Sequence, residues 1–473
     1  MDEARVAEVV RRVLEGMRDE SGAARPTVPS GTASVTGHGI FEVPEAAIEA
    51  ANAAQRELAA ANLDLRRRCI DAMRDVGRRH ARELAELAVE DTGMGRVDSK
   101  VEKNEGAANL TPGMETIESD ATSDETGVLL IERAPFGTIN AIAPTTNPTS
   151  TVINNAIIMV SAGNAVVFSP HPNAARCSLR TMTYLNDAIV EAGGPRNLLT
   201  SVASPSLRHA KVIMEHEGID VICATGGSAV VRVALTAGKK AFAAGPGNPP
   251  AVVDESADVG AAAQALIDGA SFDNNLLCIG EKSCFMVDSI AEDLLRRMAS
   301  SGGHLVRSHE LPRLVEAVSP GGKTNADLIG KDAAVILDAA GIRATRDARV
   351  VLVETDAEHA LVMDEFLMPV LPCVRVKTFE EAVVCAAAAE GGRGHTATLH
   401  TMRLDRIRTF ARALQVGVLV VNGPSFASAG IGGPGFLAMT VAGRTGEGFT
   451  TPRHFTTERR TSLIGAVSMF GSA

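Results

Sequence analysis

A chain of 473 residues with a formal charge of −11 is too long for one ordinary core and divides into domains of roughly 100–200 residues. Hydrophobic residues make up 45% and charged residues 22%, and no window approaches the roughly 18 consecutive apolar residues of a membrane span. The acidic balance, with aromatics at 3%, no Trp and one Tyr, excludes the basic, base-stacking surface that a nucleic-acid partner needs.

The first twenty residues, "MDEARVAEVVRRVLEGMRDE", place Val6, Val9, Val10, Val13, Leu14 and Met17 on one helical stripe opposite a face of mixed charge. The acidic residues disfavour a mitochondrial transit peptide, and the broken apolar run disfavours a secretory signal. Residues 21–37, "SGAARPTVPSGTASVTG", cannot bury enough apolar surface to offset their ordering entropy and read as a flexible linker spanning on the order of 20–25 Å. An amphipathic helix on such a tether is a docking tag in shape; the alternative is a helix folded back onto its own body.

From residue 44 to about 92 the chain is Ala-, Glu- and Arg-rich with helical periodicity, closed by the glycines of "EDTGMG". A short β-rich piece, "TGVLLIERAPFGTINAIAP", follows. Helical runs then alternate with apolar strands: "NNAIIMVSAGN" before "AVVFSP", "AARCSLRTMTYLNDAIVEAGG" before "NLLTSV", and "SLRHAKVIMEHEG" before "DVICATGGS". That alternation predicts an α/β fold with a doubly wound parallel sheet of the dinucleotide-binding type. In "DVICATGGSAVVRVAL" a strand passes through Thr225, Gly226, Gly227 and Ser228 into a helix, where small residues let N–H groups at the helix start face a pyrophosphate. A second α/β block begins near 251 and runs through "SCFMVD", "RVVLVE", "LPCVRV" and "GVLVVNG"; the Gly-rich tail reads as loops and extended arms.

Seven cysteines, at 69, 177, 223, 278, 284, 373 and 385, form neither a disulfide framework nor a CxxC pair, which predicts a reducing, cytoplasmic setting. Eleven histidines include no HExxH and no Cys/His cluster at zinc spacing, so no metal is expected. Within "FDNNLLCIGEK" Cys278 is either a small buried thiol or a nucleophile, whereas Cys284 in "SCFMV" has a strand-packing role that suffices.

Taken in order, "APFGTINAIAPTTNPTST", "SAGNAVVFSPHP", "TGGS", "GPGNPPAVVDESAD", "FDNNLLCIGEK", "DEFLMPVLP" and "VNGPS" resemble the aldehyde dehydrogenase superfamily, and most of all the CoA-acylating aldehyde dehydrogenases of bacterial microcompartments. The resemblance covers essentially the whole chain, including the N-terminal helix and its linker. It implies Cys278 as the nucleophile that gives a thiohemiacetal and then a thioester. Asn147 and the Cys278 backbone N–H are implied as donors to the oxyanion. Thr225, Gly226, Gly227, Ser228, Ser169, His171 and Glu365 are implied on the cofactor, Glu365 at the nicotinamide ribose. Ser169 and His171 stand where hydrolytic members usually carry a lysine on the adenosine ribose, which leaves NAD against NADP open. His395 falls where the microcompartment subgroup tends to show a histidine; near coenzyme A or in a structural role, it is left outside the catalytic set.

Ala244, in "AAGPGNPP", occupies the place of the glutamate that activates water in hydrolytic members, and a methyl group cannot take a proton. The resemblance therefore implies NAD and coenzyme A as cofactors and a short aldehyde as substrate, and leaves open which aldehyde. It also implies a homo-oligomer, dimer or tetramer, and a microcompartment shell protein docked by residues 1–20. The implied domains are a targeting helix at 1–20, a linker at 21–37, a Rossmann-type dinucleotide domain at 38–120 and 135–250, a catalytic domain at 251–445, and an oligomerisation arm at 121–134 and 446–473. A hydrolytic, acid-forming aldehyde dehydrogenase and a non-catalytic docking protein are the competing readings. Ala244 opposes the first, and Cys278, Asn147 and Glu365 together oppose the second.

Overall fold

A computed structural model describes residues 39–344, 347–443 and 445–465. The expected targeting helix and its linker lie outside the described residues. Strand β1 (Ile40–Phe41) is followed by helices Pro44–Ala60, Leu63–Arg79, Ala81–Thr92 and Val97–Leu110. Strands β2 (Asp120–Asp124) and β3 (Gly127–Pro135) precede β4 (Thr138–Ala143), β5 (Ala165–Pro170), β6 (Leu199–Val202), β7 (Val221–Thr225) and β8 (Lys240–Ala244), with helices between consecutive members from β4 onward. The first sheet has the order β1-β6-β5-β4-β7-β8 and every pairing in it is parallel. The chain winds from β4 through β5 to β6 on one side, then crosses to β7 and β8 on the other. That reversal leaves a crevice at the carboxyl ends of β4 and β7, the place where open α/β sheets bind ligands.

Helix Pro148–Ser161 runs down the middle of this first body, and every one of its fourteen residues is buried. Pro148 starts it, where a missing N–H costs nothing. Its polar side chains are spent on fixing the chain's far end. Asn154 donates to Thr111 Oγ1 (2.8 Å) and Leu437 O (3.0 Å) and accepts from Met439 N (3.0 Å). Residues 437–441 are thereby held against the first sheet's core although the chain reaches them only after the whole second sheet.

The second block builds a seven-stranded, all-parallel sheet from β9 (Pro250–Val253), β10 (Ser283–Val287), β11 (Gly303–Leu305), β12 (Val350–Glu354), β13 (Val370–Val376), β14 (Thr396–His400) and β15 (Val418–Val421). Its order is β11-β12-β13-β10-β9-β14-β15. Central β10 is buried on both faces, which explains why "SCFMV" is continuously apolar apart from Ser283. Cys284 sits there at 0% exposure, in register with Cys373.

Short strands β16 (Val441–Ala442) and β17 (Gly448–Phe449) pair with each other, and β18 (Thr456–Ile464) then pairs antiparallel along all nine residues of β3, which also pairs with β2. This three-stranded sheet is mostly exposed, with Ile464 77% exposed. Before β18 begins, residues 448–455 pack on the first body, where Phe455 is fully buried against Phe242. No helix among the described residues is long and apolar enough to cross a membrane.

Candidate active site

Between the two parallel sheets lies a cavity of about 1010 Å³, at the upper end of the size range of small-molecule sites. Its walls include Asn147, Ser169, His171, Thr225, Gly226, Gly227, Ala244, Cys278 and Glu365. All but one of the residues expected to bind or react thus meet on one surface. The exception is Ser228, which opens helix Ser228–Thr236, is exposed and does not line the cavity, although Gly227 and Ala229 on either side of it do.

The walls divide by origin. Thr225 ends β7 and Ala244 ends β8, in register with each other, and the Gly226 N–H donates to Ala244 O at 3.1 Å. A Cβ built on Gly227 would meet nothing of the protein within 4 Å, so the protein's own packing does not require glycine there. The open space lies in front of a helix start, as close approach of a phosphate demands. Ser169, at the end of β5, is buried and its Oγ accepts from Asn140 Nδ2 at 2.9 Å, which leaves its hydroxyl proton free to donate. His171 sits exposed at the rim with Nδ1 accepting from Asn173 N at 3.1 Å. A cleft with an apolar wall from Ile142, Met214 and Val230, a hydroxyl donor and an open glycine turn fits an adenine dinucleotide.

Cys278 rides on a turn between helix Val259–Ser271 and β10, and the residues around it in "FDNNLLCIGEK" build that turn. Asp273, Asn274 and Asn275 all have left-handed backbones (φ 47°, 55° and 60°), a region that Asn and Asp enter more readily than other non-glycine residues. Asn274 Nδ2 donates to Gly330 O (2.8 Å) and Asp332 Oδ1 (2.9 Å); Asn275 Nδ2 donates to Glu281 O (2.9 Å). Lys282, 4% exposed, folds its ammonium back into the turn and donates to Asn275 O (2.8 Å), Asn275 Oδ1 (2.6 Å) and Leu277 O (3.0 Å). The last of these bonds fixes the 277–278 peptide plane, and with it the direction of the Cys278 N–H. Glu281, fully buried, accepts from Ser425 N (2.7 Å) and Ser425 Oγ (2.9 Å), and burial lifts its carboxyl to about 7.

Cys278 keeps part of its surface on the cavity, but protein encloses its other sides, and that desolvation pushes the thiol up to about 12. Glu365 adds to the rise by its negative charge, and Lys282 opposes it. Glu365 itself is raised above the usual carboxylate range by burial against the pull of Lys282 and Arg393; the Gly247 N–H bonds it, while its Oε1 has no hydrogen-bond partner among the described residues. Gly247 also abuts the backbone of Cys278, since a Cβ there would lie 2.6 Å from Cys278 O. Among the described residues, Glu365 is the only carboxylate that joins Cys278 on the cavity wall, and Ala244 places a methyl group where a second could have stood. His395 is fully enclosed, outside the lining, and lowered to about 4 by burial.

Sequence reasoning passed over the buried cations. Lys100 and Lys103 project from helix Val97–Leu110, a helix that the periodicity does not predict because its buried face is Lys100, Lys103, Asn104, Gly106, Ala107 and Ala108. Only the charged pair in "GEK" hints at Lys282.

The sequence profile of the aldehyde dehydrogenase family matches residues 37–312 and 317–436. The acetaldehyde dehydrogenase (acetylating) of Salmonella typhimurium is 43% identical over 475 aligned residues, covering 98% of this chain and 99% of that protein. Among solved structures, a propionaldehyde dehydrogenase from the Clostridium phytofermentans fucose utilisation bacterial microcompartment superposes with TM-score 0.90 at 41% identity, covering 91% of this chain and 100% of the other. The propionaldehyde dehydrogenase of Rhodopseudomonas palustris, solved with bound CoA and an acylated cysteine, gives TM-score 0.89 at 38% identity, covering 90% and 98%. Agreement of profile, near full-length relatives and fold, on top of a thiol-bearing cleft at the sheet's switch point, establishes that the chain belongs to the aldehyde dehydrogenase family.

Proposed function

We propose that the protein is a CoA-acylating, NAD-linked aldehyde dehydrogenase that converts a short aldehyde to its acyl-CoA thioester. Cys278 attacks the aldehyde carbonyl as the thiolate, its proton passing to solvent in the cavity. The charge that develops on oxygen is met by Asn147 Nδ2 and the Cys278 N–H. NAD, when bound, supplies the hydride acceptor and a positively charged ring. Loss of hydride leaves a thioester on the Cys278 sulfur; the thiol of coenzyme A then adds to that carbonyl, and the departing Cys278 thiolate takes up the proton that the incoming thiol gives up.

One observation carries the preference for coenzyme A over water. At the end of β8 the cavity wall presents the methyl group of Ala244. Hydrolysis of a thioester at neutral pH needs a base to activate water, whereas a thiol is a competent nucleophile with a few percent thiolate. The activities of the relatives, acetylating and CoA-propanoylating, support the same reading. Thr225, Gly226, Gly227, Ser169 and His171 hold the dinucleotide, with Glu365 at its reactive end. Ser228, outside the lining, contributes by its place at the helix start.

The enzyme works as a homo-oligomer through the exposed sheet of β2, β3 and β18, and in a microcompartment lumen to which residues 1–20 direct it. The microcompartment source of the similar Clostridium structure supports the latter. The reading is tested by following NADH formation from acetaldehyde, propionaldehyde and lactaldehyde with and without coenzyme A. Sustained turnover only with coenzyme A, giving acyl-CoA, is expected; equal turnover without it, giving free acid, would refute the acylating assignment.

A further inference from the structure

We infer that Lys103 is a positioning residue for the chemistry, setting which face of the Asn147 amide meets the reacting carbonyl through a buried Lys100–Asp273–Lys103 cluster. The inference rests on the proposed role of Asn147 as oxyanion donor. Asn147 occupies the N-cap position of helix Pro148–Ser161, where asparagine ordinarily gives its side-chain oxygen to an N–H of the first turn. Here no such cap bond is made. The oxygen is taken instead by Lys103 Nζ, at 2.5 Å, on a cavity-lining side chain only 1% exposed.

A lysine ammonium offers donors and no acceptor. The atom it meets must therefore be Oδ1, and Nδ2 must turn the other way, toward Thr146 Oγ1 (3.1 Å) and Leu276 O (3.4 Å), two residues before Cys278. The longer of these contacts is weak and is readily exchanged for a better acceptor. Reversing the amide would present an oxygen to an oxygen that is gaining negative charge. A cation on Oδ1 also polarises the amide and strengthens Nδ2 as a donor.

The surroundings argue against a merely structural ion pair. Lys100 donates to Asp273 Oδ2 and to Thr146 O, each at 3.1 Å, and Lys103 donates to the same carboxylate oxygen. Two ammonium groups and one carboxylate, all at most 2% exposed, leave a surplus positive charge in the interior, an arrangement that costs stability unless something uses it. Burial lowers Lys103 to about 8, and the Asp273 carboxylate that it bonds opposes that fall. Asp273 also opens the left-handed run leading to Cys278, and its Oδ1 accepts from Arg96 N at 2.7 Å. One carboxylate thus ties the nucleophile's turn to the helix that carries Lys103, fixing the donor relative to the sulfur.

The test uses the purified full chain and four variants: Lys103→Met, Lys103→Gln, Asn147→Ala and the double Lys103→Met/Asn147→Ala. Loss of an oxyanion donor lowers kcat by about 10²–10³, and Lys103→Met is expected to fall in that range while KM for NAD stays within about threefold. Because Lys103 acts through Asn147, the double variant should match Asn147→Ala within about threefold rather than multiply the losses. Lys103→Gln, which keeps a donor for Oδ1, should recover at least about tenfold over Lys103→Met. If Asn147→Ala loses kcat while folded Lys103→Met keeps it, or if the losses multiply, the inference falls and the role of Asn147 stands. Full activity of Asn147→Ala would remove that role itself. Should Lys103→Met fail to fold, Lys103→Ala, alone and combined with Asn147→Ala, takes its place: no loss from the single variant, or losses that multiply in the double, overturn the inference.

Discussion

Lys282→Met removes the strut under the turn that carries Cys278 while nearly keeping its volume. The ammonium makes three bonds into the turn, to Asn275 O, Asn275 Oδ1 and Leu277 O; Leu277 O keeps a second donor in the Gly280 N–H at 3.1 Å, while each of the two Asn275 acceptors left without a donor costs about 1–3 kcal/mol. Relief of the ammonium's own desolvation offsets part of that sum, so the net loss is about 3–4 kcal/mol. This loss is local to residues 275–282, because all three bonds close within that stretch. Hydrogen exchange read on peptides covering 272–287 should therefore speed up by about 10²–10³, at about 1.4 kcal/mol per factor of ten. Peptides from β4 and β5 should be unchanged. Steady-state turnover should fall by a comparable factor, since the Cys278 N–H and sulfur lose their fixed direction. Exchange within about threefold of the parent in 272–287 would refute the idea that Lys282 holds the turn.

Other outcomes follow from the same geometry. Ala244→Glu adds a base to the cavity wall, and general-base help is worth about 10²–10⁴ when well placed; product analysis should show free acid rising at least about tenfold relative to acyl-CoA, allowing for imperfect placement. Glu365 is raised by burial, so if its anionic form binds the cofactor, kcat/KM for NAD should decline on acidification while the pH is still above the ordinary carboxylate range of about 4–5, and Glu365→Gln should abolish that limb. A reporter fused to residues 1–20 should co-localise with a microcompartment shell, Val10→Asp with Leu14→Asp should disperse it, and deletion of residues 1–36 should leave turnover within about twofold of the full chain.

What the sequence disclosed, and what it hid, follows from how each part is stabilised. The two parallel sheets were readable because buried strands such as "AVVFSP" and "SCFMV" are continuously apolar and alternate with helical runs. Cys284 was readable as packing for the same reason. Helix Val97–Leu110 escaped because it buries Lys100, Lys103 and Asn104, and periodicity tracks apolar residues, so a helix that buries charge gives no signal. Strand β9, which starts on Pro250 just after "GPGNP", was masked by turn-forming residues although it lies inside its sheet, between β10 and β14. The meeting of Asn147, Ala244, Cys278 and Glu365 on one wall joins residues more than two hundred positions apart. Local patterns carry no such distance information; only the ordered set of motifs, through the family resemblance, anticipated it. The surplus cation behind Asn147 was outside even that, being a property of contacts between Lys103, Asp273 and Lys100 rather than of any one motif.

In the proposed reaction Cys278 carries the acyl group, and coenzyme A rather than water removes it. Mixing the full-length protein with propionaldehyde and NAD in the absence of coenzyme A, quenching in acid and mapping peptides by mass spectrometry measures this directly. A propionyl group on the peptide containing Cys278 should accumulate toward one per active site, persist while coenzyme A is withheld, and pass to propionyl-CoA when it is added. An unmodified Cys278 during turnover, or an adduct that decays to propionate equally fast whether or not coenzyme A is present, would contradict the account.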